Sequence, residues 1–255
     1  MGARPYILKE ANWKQVKQYD YEIAVLPWGA TEAHNYHLPY GTDNIQVEYV
    51  AEAAASKAWD KGVKLLVLPG IAYGVNTGQL DIPFCMNMNP STQLAMLKDI
   101  CHVLQLHQLN KLVILNGHGA NQFNSIIREL AGLFPNLFIC VINWYQAAPR
   151  ASFFEKPGDH ADELETSVMM HIASELVQPL ETAGNGSTRH FLPEGFKKGW
   201  AWTQRPWSMI TQDTGSGDPS LATPEKGQRF LDLSIDNIAQ FFEEISGKSI
   251  NELLG

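Results

Sequence analysis

Four short aliphatic runs alternate with longer stretches of helical periodicity, and this alternation constrains the fold more than any other feature of the chain. The runs are rich in Ile, Val and Leu and are bounded by Gly, Pro or Asn, which is typical of strands buried on both faces. They are Ile23–Trp28, Lys64–Pro69, Lys111–Leu115 and Leu137–Trp144. The helical patterns between them are Asn44–Trp59, Pro90–His107 and Asn121–Phe134. Such alternation favours right-handed βαβ units, so we predict an α/β fold, a three-layer α/β/α sandwich with a mostly parallel sheet.

The second half of the chain is less regular than the first. A helix is predicted from about Asp159 to Leu176, and a C-terminal helix from Pro224 to about Ile245. Between them, residues 183–220 contain many glycines and three tryptophans without clear periodicity. A long irregular segment in a compact domain is usually a lid, a binding loop or an oligomer contact. We expect residues 1–255 to form one domain that includes this irregular segment at about 183–220.

Charge and cysteine content narrow the function classes. The net charge of −8 over 255 residues argues against binding to nucleic acid or to an anionic membrane, since both require a basic face. A small or neutral partner fits this charge better. Cys85, Cys101 and Cys140 are odd in number, lie in apolar surroundings and show no CxxC spacing, so we expect reduced core cysteines. Because the N-terminus also lacks the apolar region of a signal peptide, we expect a cytoplasmic protein.

The first cluster of chemically active residues follows the first predicted strand directly. Open α/β sheets build their sites at the carboxyl ends of strands. Glu32 and His34 are two residues apart and share one face of an extended backbone, and Asp43 can fold back beside them. Two carboxylates and an imidazole suit Zn²⁺, Mn²⁺ or Fe²⁺. The alternative is that the acidic residues belong to turns or caps and that His34 is an ordinary loop histidine.

The second cluster lies in the sequence LVILNGHGAN, where His118 occupies a turn between a strand and a helix. The flanking glycines let the backbone pass close to a ligand. A phosphate cradle is weakly supported, because the chain contains neither GxGxxG nor GxxxxGK[ST]. A well-packed turn with a surface histidine remains open as the alternative.

The third cluster, in PGDHADELETS, opens the predicted helix with Asp159 as its expected N-cap. Asp162 and Glu163 need no function there, because the helix dipole alone favours acidic residues in a first turn. His160 differs, since a cation at a helix N-terminus is disfavoured and a neutral imidazole is better suited to transfer a proton. Glu165 is expected to point inward beside it. Three such clusters at one sheet edge indicate a metallohydrolase.

Five motifs occur in order over roughly residues 20–175: GATEAHNYHLPYGTD, PGIAYG, NPST with its helix, LVILNGHGAN and HADELETS. In this order they resemble the creatininase (creatinine amidohydrolase) family of binuclear metal hydrolases. The resemblance implies a creatininase-like fold and two divalent metal ions per chain, Zn²⁺, Mn²⁺ or Fe²⁺. It carries four metal ligands onto this chain, with Asp43 as the bridge: Glu32, His34, Asp43 and His118.

Two further site residues follow from the same resemblance. Creatinine-hydrolysing members take another ligand from a Glu two residues after the NGH histidine, where this chain has Ala120. We therefore expect Glu165 to complete the second metal, with a role as a catalytic base left open. His160 matches the residue to which the family's proton transfer is assigned.

The resemblance also bears on substrate. Creatinine enzymes carry aromatic residues at the positions of Gly119 and Lys156, so the aromatic walls expected for flat creatinine are predicted to be missing. Gly119, Asn76 and Thr77 are the residues expected to bind substrate. The implied activity is hydrolysis of a carbon–nitrogen bond, other than a peptide bond, in a small cyclic amide or formamide through a metal-bridged hydroxide.

Alternatives stay open at this point. The chain could be a non-catalytic, metal-dependent metabolite-binding protein, an interpretation that Ala120 keeps open. The family resemblance also extends to formamide deformylases and to a peptidase of modified peptides. A homo-oligomer, typically a hexamer, is implied by the family, and residues 183–220 could supply its contacts.

Overall fold

The four aliphatic runs form one parallel sheet in the computed structural model, which describes residues 4–254. The strands are Ile23–Trp28 (β1), Leu65–Val67 (β2), Lys111–Asn116 (β3) and Phe138–Asn143 (β4). Their order across the sheet is β2-β1-β3-β4, and every pair is parallel. The outer edge of β2 is covered by residues 6–8, because Val67 donates to the Tyr6 carbonyl at 2.8 Å and accepts from the Leu8 amide at 3.0 Å.

Within residues 4–254, eight α-helices accompany the sheet. They are Trp13–Val16 (α1), Thr42–Asp60 (α2), Pro90–Leu106 (α3), Phe123–Leu133 (α4), Glu163–Ile172 (α5), Glu194–Lys197 (α6), Trp207–Ile210 (α7) and Pro224–Ile245 (α8). Single 3₁₀ turns occupy Trp144–Gln146, Arg150–Ser152, Ser174–Leu176, Leu180–Thr182 and Ile250–Leu253. Within residues 4–254, no helix has both the length and the apolar character needed to cross a membrane.

The sheet separates two hydrophobic cores. Alternate residues of a strand point to opposite faces, so Ile23 and Val25 join one core while Ala24 and Leu26 join the other. The first core contains residues of α2, α5 and α8, and the second contains residues of α3 and α4. Helices on both faces of a parallel sheet confirm the predicted three-layer α/β/α sandwich.

Two sequence-based expectations about elements are wrong in detail. The fifth helix begins at Glu163, and its N-cap is Asp162, whose side chain accepts from the Glu165 amide; Asp159 caps nothing. Residues 159 and 160 are instead held by backbone hydrogen bonds to Ser216, so the helix cannot start there. The fourth strand, predicted as buried on both faces, is half-buried along its length because it forms a sheet edge.

The strand order creates a topological switch point. From β1 the chain crosses to β2 on one side, and it later returns to place β3 on the other side of β1. Ligands of open α/β sheets bind outside the carboxyl ends of the strands at such a point. The segment at 183–220 is mostly irregular, with α6 and α7 its only helices among the described residues, as the lack of periodicity predicted.

Candidate metal centre

The predicted site residues converge at the switch point between β1 and β3. Glu32 and His34 follow β1, His118 follows β3, and Asp43 lies in the first turn of α2. All four are buried, although Glu32 and Asp43 are ionisable residues that are rarely buried without a partner. They line or adjoin a cleft of about 680 Å³.

His118 is fixed by the turn on which it lies. Asn116 accepts the His118 amide at 3.2 Å and donates to the His118 carbonyl at 2.8 Å, so this side chain holds the turn. The ring Nε2 lies 3.0 Å from the Val75 carbonyl, which can only accept, so this nitrogen carries the proton. Nδ1 then faces Glu32 Oε1 at 2.7 Å and Asp43 Oδ2 at 3.0 Å.

His34 is anchored in the same way. Its Nδ1 donates to the Glu32 backbone carbonyl at 3.0 Å. Its Nε2 therefore faces Asp43 Oδ1 at 3.2 Å and Glu165 Oε2 at 3.9 Å. Glu165, from the first turn of α5, also accepts from the Ala161 amide. The two Asp43 oxygens thus face different imidazoles.

His160 lies at the cleft wall just before α5 rather than in it. Ala161, the next residue, has a left-handed φ of 49°, a strained conformation for a residue with a Cβ. This turn places His160 Nε2 2.8 Å from the Ala33 carbonyl, to which it donates, and leaves Nδ1 3.8 Å from Glu32 Oε1. The His160 ring packs against those of His34 and Trp207, with centroids 4.2 and 4.9 Å away.

The electrostatics of the cluster favour an additional cation. Burial raises the pKa of Glu165 to about 8, and the carboxylates of Asp43 and Asp162 add to that rise. Burial would lower the pKa of His34, but the Asp43 carboxylate outweighs burial and raises it to about 10. Burial and the nearby His34 lower the pKa of His160, which keeps that ring neutral near pH 7.

The donor set fits divalent metal ions. Glu32 Oε1 and Asp43 Oδ2 are buried and receive no hydrogen bond from the described residues, although an unsatisfied buried charge is costly. Burial would lower the pKa of His118, but the Glu32 and Asp43 carboxylates raise it well above its ordinary value, so a bound cation would replace the Nδ1 proton. Three groups of ligand atoms lie within 4.8 Å of one another: Glu32–Asp43–His118, His34–Asp43–Glu165 and Glu32–His34–His160. Each histidine in them donates its other N–H to a backbone carbonyl, the arrangement that orients metal-binding imidazoles.

The residues expected to bind substrate lie at the cleft. Gly119 and Thr77 line it and are exposed, whereas Asn76 is buried and its side-chain amide donates to the Met86 carbonyl at 3.0 Å. Lys156, at the position of an aromatic wall in creatinine enzymes, lies outside the cleft lining and pairs with Asp218 at 3.1 Å.

Aromatic side chains line the cleft, although the two aromatic positions of creatinine enzymes are Gly119 and Lys156 here. Tyr145, Trp202 and Trp207 line it from other segments. Tyr145 Oη lies 3.9 Å from where a Cβ on Gly119 would be. Aromatic side chains therefore do reach the cleft, although from positions that the motifs did not indicate.

Sequence reasoning also missed Gln79, which is buried and donates from Nε2 to Glu32 Oε2. Its Oε1 accepts from the Cys85 thiol at 3.1 Å, and the Cys85 sulfur accepts from the Ala33 amide at 3.2 Å. No spacing pattern marks Gln79 in the sequence. A buried amide next to a metal-ligand candidate becomes visible only once the fold brings residues 47 positions apart into contact.

Comparisons with known proteins agree with this geometry. The profile of the creatininase family, described as creatinine amidohydrolase, matches residues 9–242. The crystal structure of a candidate creatinine amidohydrolase from Bacteroides fragilis NCTC 9343 is 39% identical, covers 96% of this chain and 98% of its own, and superposes with a TM-score of 0.90. Creatinine amidohydrolase from Pseudomonas putida is 25% identical over 92% of this chain and 95% of its own.

A variant creatininase in a Zn–Zn form shares the fold. Its TM-score is 0.79 at 21% identity, with 96% of this chain and 100% of that chain covered. The predicted resemblance and fold are thereby confirmed, since the family profile covers nine-tenths of the sequence. The chain belongs to the creatininase family of amidohydrolases.

Proposed function

We propose that this chain is a metal-dependent amidohydrolase that cleaves the C–N bond of a small cyclic amide or formamide. The observation that carries the proposal is the convergence of imidazole nitrogens and buried carboxylate oxygens at one cleft. Two of those oxygens, Glu32 Oε1 and Asp43 Oδ2, receive no hydrogen bond from residues 4–254. Such a donor set is suited to cations rather than to an apolar ligand.

We assign one ion to Glu32, Asp43 and His118, and a second ion to His34, Asp43 and Glu165. Asp43 belongs to both sets, and each of its oxygens faces a different histidine, which supports a bridging role. The Zn–Zn form of a structural relative supports two ions, with Zn²⁺, Mn²⁺ or Fe²⁺ as candidates. When bound, a metal pair supplies an acidified water and polarises the substrate carbonyl.

His160 is the proton-transfer residue in this proposal. Its Nε2–H is committed to the Ala33 carbonyl, and the neutral ring presents Nδ1 to the cleft side of Glu32. Nδ1 accepts a proton from the attacking water and then donates it to the leaving nitrogen. The Ala33 hydrogen bond holds the ring in one tautomer throughout. Glu165 serves as a metal ligand, and its role as a base is the alternative.

A small substrate suits the cleft. A volume of about 680 Å³ is within the usual range for small-molecule pockets. Gly119 and Thr77 provide exposed backbone and hydroxyl groups beside the metal-ligand candidates, and Asn76 supports that loop through its hydrogen bond to the Met86 carbonyl.

We further infer a homo-oligomer, a hexamer by family resemblance, and a cytoplasmic location. Light scattering that finds a monomer would refute the homo-oligomer.

Replacement of His160 by Ala tests the mechanism. We expect kcat on a panel of cyclic amides and formamides to fall by about 10²–10⁴-fold, because a positioned acid–base group contributes that much. Metal content, measured by elemental analysis, should stay at the wild-type value. His171→Ala, a histidine of α5 outside the cleft lining, is the control and should leave both quantities unchanged. Loss of metal from His160→Ala would instead make His160 a ligand.

A further inference from the structure

Arg205 is a cationic side chain at the cleft that the proposed mechanism does not use. It lies in the irregular segment 183–220, lines the same cleft as the metal-ligand candidates, and its side chain is 41% exposed. Surface arginines are usually mobile and bind nothing in particular. Arg205 differs because its position is fixed by contacts on several sides.

The backbone around Arg205 is held against the loop that contains Thr77. The Trp207 amide donates to the Gly78 carbonyl at 3.0 Å. A Cβ on Gly78 would overlap with the Arg205 carbonyl oxygen, so the close approach of the two segments requires glycine. This packing places Arg205 on the same cleft wall as the predicted substrate loop.

The side chain of Arg205 is also fixed. Its guanidinium carbon lies 4.5 Å from the centroid of the Trp207 ring, a cation–π distance. Trp207 is buried, and its ring lies 4.9 Å from that of His160. Nη1 of Arg205 pairs with Asp159 Oδ2 at 2.9 Å, next to His160 in the chain. The Trp207 ring thus contacts both the Arg205 guanidinium and the ring of His160.

One edge of the guanidinium has no partner within residues 4–254. All hydrogen bonds of Arg205 leave from Nη1, so Nε and Nη2 are free of protein acceptors. These two nitrogens share the edge that binds a carboxylate with two parallel hydrogen bonds. Arg150, the other arginine at the cleft, uses Nη2 for both Asp162 and the Gly158 carbonyl, so its corresponding edge is taken.

We propose that the Nε/Nη2 edge of Arg205 binds a carboxylate of the substrate, and that the substrate class is therefore amides that also carry a free carboxylate. The inference rests on the proposed function, because the amide end must reach the metal centre while the carboxylate reaches Arg205. Two divalent ions would more than offset the three carboxylates Glu32, Asp43 and Glu165. The other two carboxylates of the cleft, Asp159 and Asp162, are paired with Arg205 and Arg150. The loaded cleft would therefore attract an anion despite the net negative charge of the chain.

Hydroxamates test the inference without requiring turnover, since a hydroxamate binds a metal centre directly. The probes are succinic and glutaric monohydroxamate, each compared with the analogue in which the distal carboxylate is a carboxamide. Dissociation constants are measured by isothermal titration calorimetry on Zn²⁺-loaded wild type, Arg205→Gln and Arg205→Lys. Arg128→Gln, an exposed arginine of α4 outside the cleft lining, is the matched control.

The wild type and Arg128→Gln should bind at least one carboxylate probe about tenfold more tightly than its carboxamide analogue, as a charged hydrogen-bonded pair implies. Arg205→Gln should lose this preference but bind the carboxamide probe as tightly as the wild type does, and Arg205→Lys should retain part of the preference. A wild type without preference, or a preference that persists in Arg205→Gln, would overturn the carboxylate site while leaving the metal centre intact. Metal-dependent binding of none of the probes would overturn both.

Discussion

A chain of hydrogen bonds through Gln79 joins the metal-ligand candidates to His160, the proposed proton-transfer residue. Gln79 donates to Glu32 and accepts from the Cys85 thiol, whose sulfur accepts from the Ala33 amide. The Ala33 carbonyl in turn accepts from His160 Nε2 at 2.8 Å. One oxygen of Glu32 is therefore held by Gln79, which leaves the other free to face His118.

Replacement of Gln79 by Ala should weaken metal binding without unfolding the protein. Partners in the second coordination sphere typically change metal affinity by about 10–100-fold, and we expect a loss in that range because Glu32 becomes free to rotate. The affinity is measured by competition with a chromophoric chelator. Gln122→Ala is the control, since Gln122 lines the cleft and its side chain donates to the Gly119 carbonyl rather than to a metal-ligand candidate. Equal affinities for Gln79→Ala and the wild type would show that Glu32 needs no such support.

The sequence sufficed to find the residues that now form the cluster but not those that support them. Glu32, His34 and His118 follow strands in recognisable motifs, and their convergence needs only the rule that parallel strands end together. Gln79 and Arg205 lie in loops and Trp207 begins the short helix α7, and the paths of these segments depend on tertiary packing, such as the close contact at Gly78. Their side chains have no periodicity that could have marked them in advance.

At the scale of elements, α5 and α8 pack closely at a glycine. A Cβ on Gly227 of α8 would overlap with the Ser167 carbonyl of α5. Because a Cβ is bonded directly to the α8 backbone and the oxygen belongs to the α5 backbone, neither atom can rotate away. The substitution Gly227→Ala must therefore push the helices apart, at a cost of about 1–3 kcal/mol in the free energy of unfolding. Urea denaturation measures this loss.

Gly132→Ala is the control, and it should change the free energy of unfolding in the opposite direction. Gly132 lies in α4, and a Cβ there would meet nothing within 4 Å. Alanine should therefore stabilise the protein by about 0.5–1 kcal/mol through helix propensity. If both substitutions change stability in the same direction, the close packing of α5 on α8 is not the reason for the glycine at 227.

The start of β1 is tied to the end of α8 by Glu22. Its carboxylate accepts from the Ser246 hydroxyl and from the Gly247 amide, each at 2.6 Å. Burial alone would raise the pKa of Glu22, but these hydrogen bonds outweigh it and lower the pKa below its ordinary value of 4.5. A lowered pKa in the folded state stabilises the protein above pH 4.5, and this contribution disappears as the pH falls through the folded-state pKa.

We therefore expect Glu22→Gln to be less stable than the wild type at pH 7, with a difference that shrinks as the pH falls below about 4.5. Thermal unfolding of both proteins across this pH range measures the difference. A stability difference that is the same at pH 7 and at pH 3 would mean that the Glu22 charge does not stabilise the junction.

The boundaries of a helix were predictable where the sequence offers a single candidate for its capping residue. Pro224 and Ile245 bound α8 as expected, because Thr223 caps it and Pro occupies the first helical position. The start of α5 was not predictable, since Asp159 and Asp162 are equally good caps in the sequence. The choice is made by the left-handed φ of Ala161, which no glycine marks, and by pairing with the distant Ser216.

For the whole molecule, the parallel sheet follows from the alternation of strands and helices, whereas the strand order does not. Placing β3 beside β1 rather than beside β2 brings His118 to Glu32 and Asp43, and only the three-dimensional structure reveals that neighbour relation. The segment 183–220 likewise gains its role from the fold: Trp202, Arg205 and Trp207 close one side of the cleft.

The central claim is that this cleft holds a pair of ions bridged by Asp43. Metal per chain, measured by elemental analysis after reconstitution with Zn²⁺ or Mn²⁺ and gel filtration, tests it most directly. We predict about two ions for the wild type and for the exposed-residue control Asp99→Asn, about one for Glu165→Gln, and a sharp loss for Asp43→Asn. A wild type without stoichiometric metal, or an Asp43→Asn variant that keeps both ions, would contradict the account.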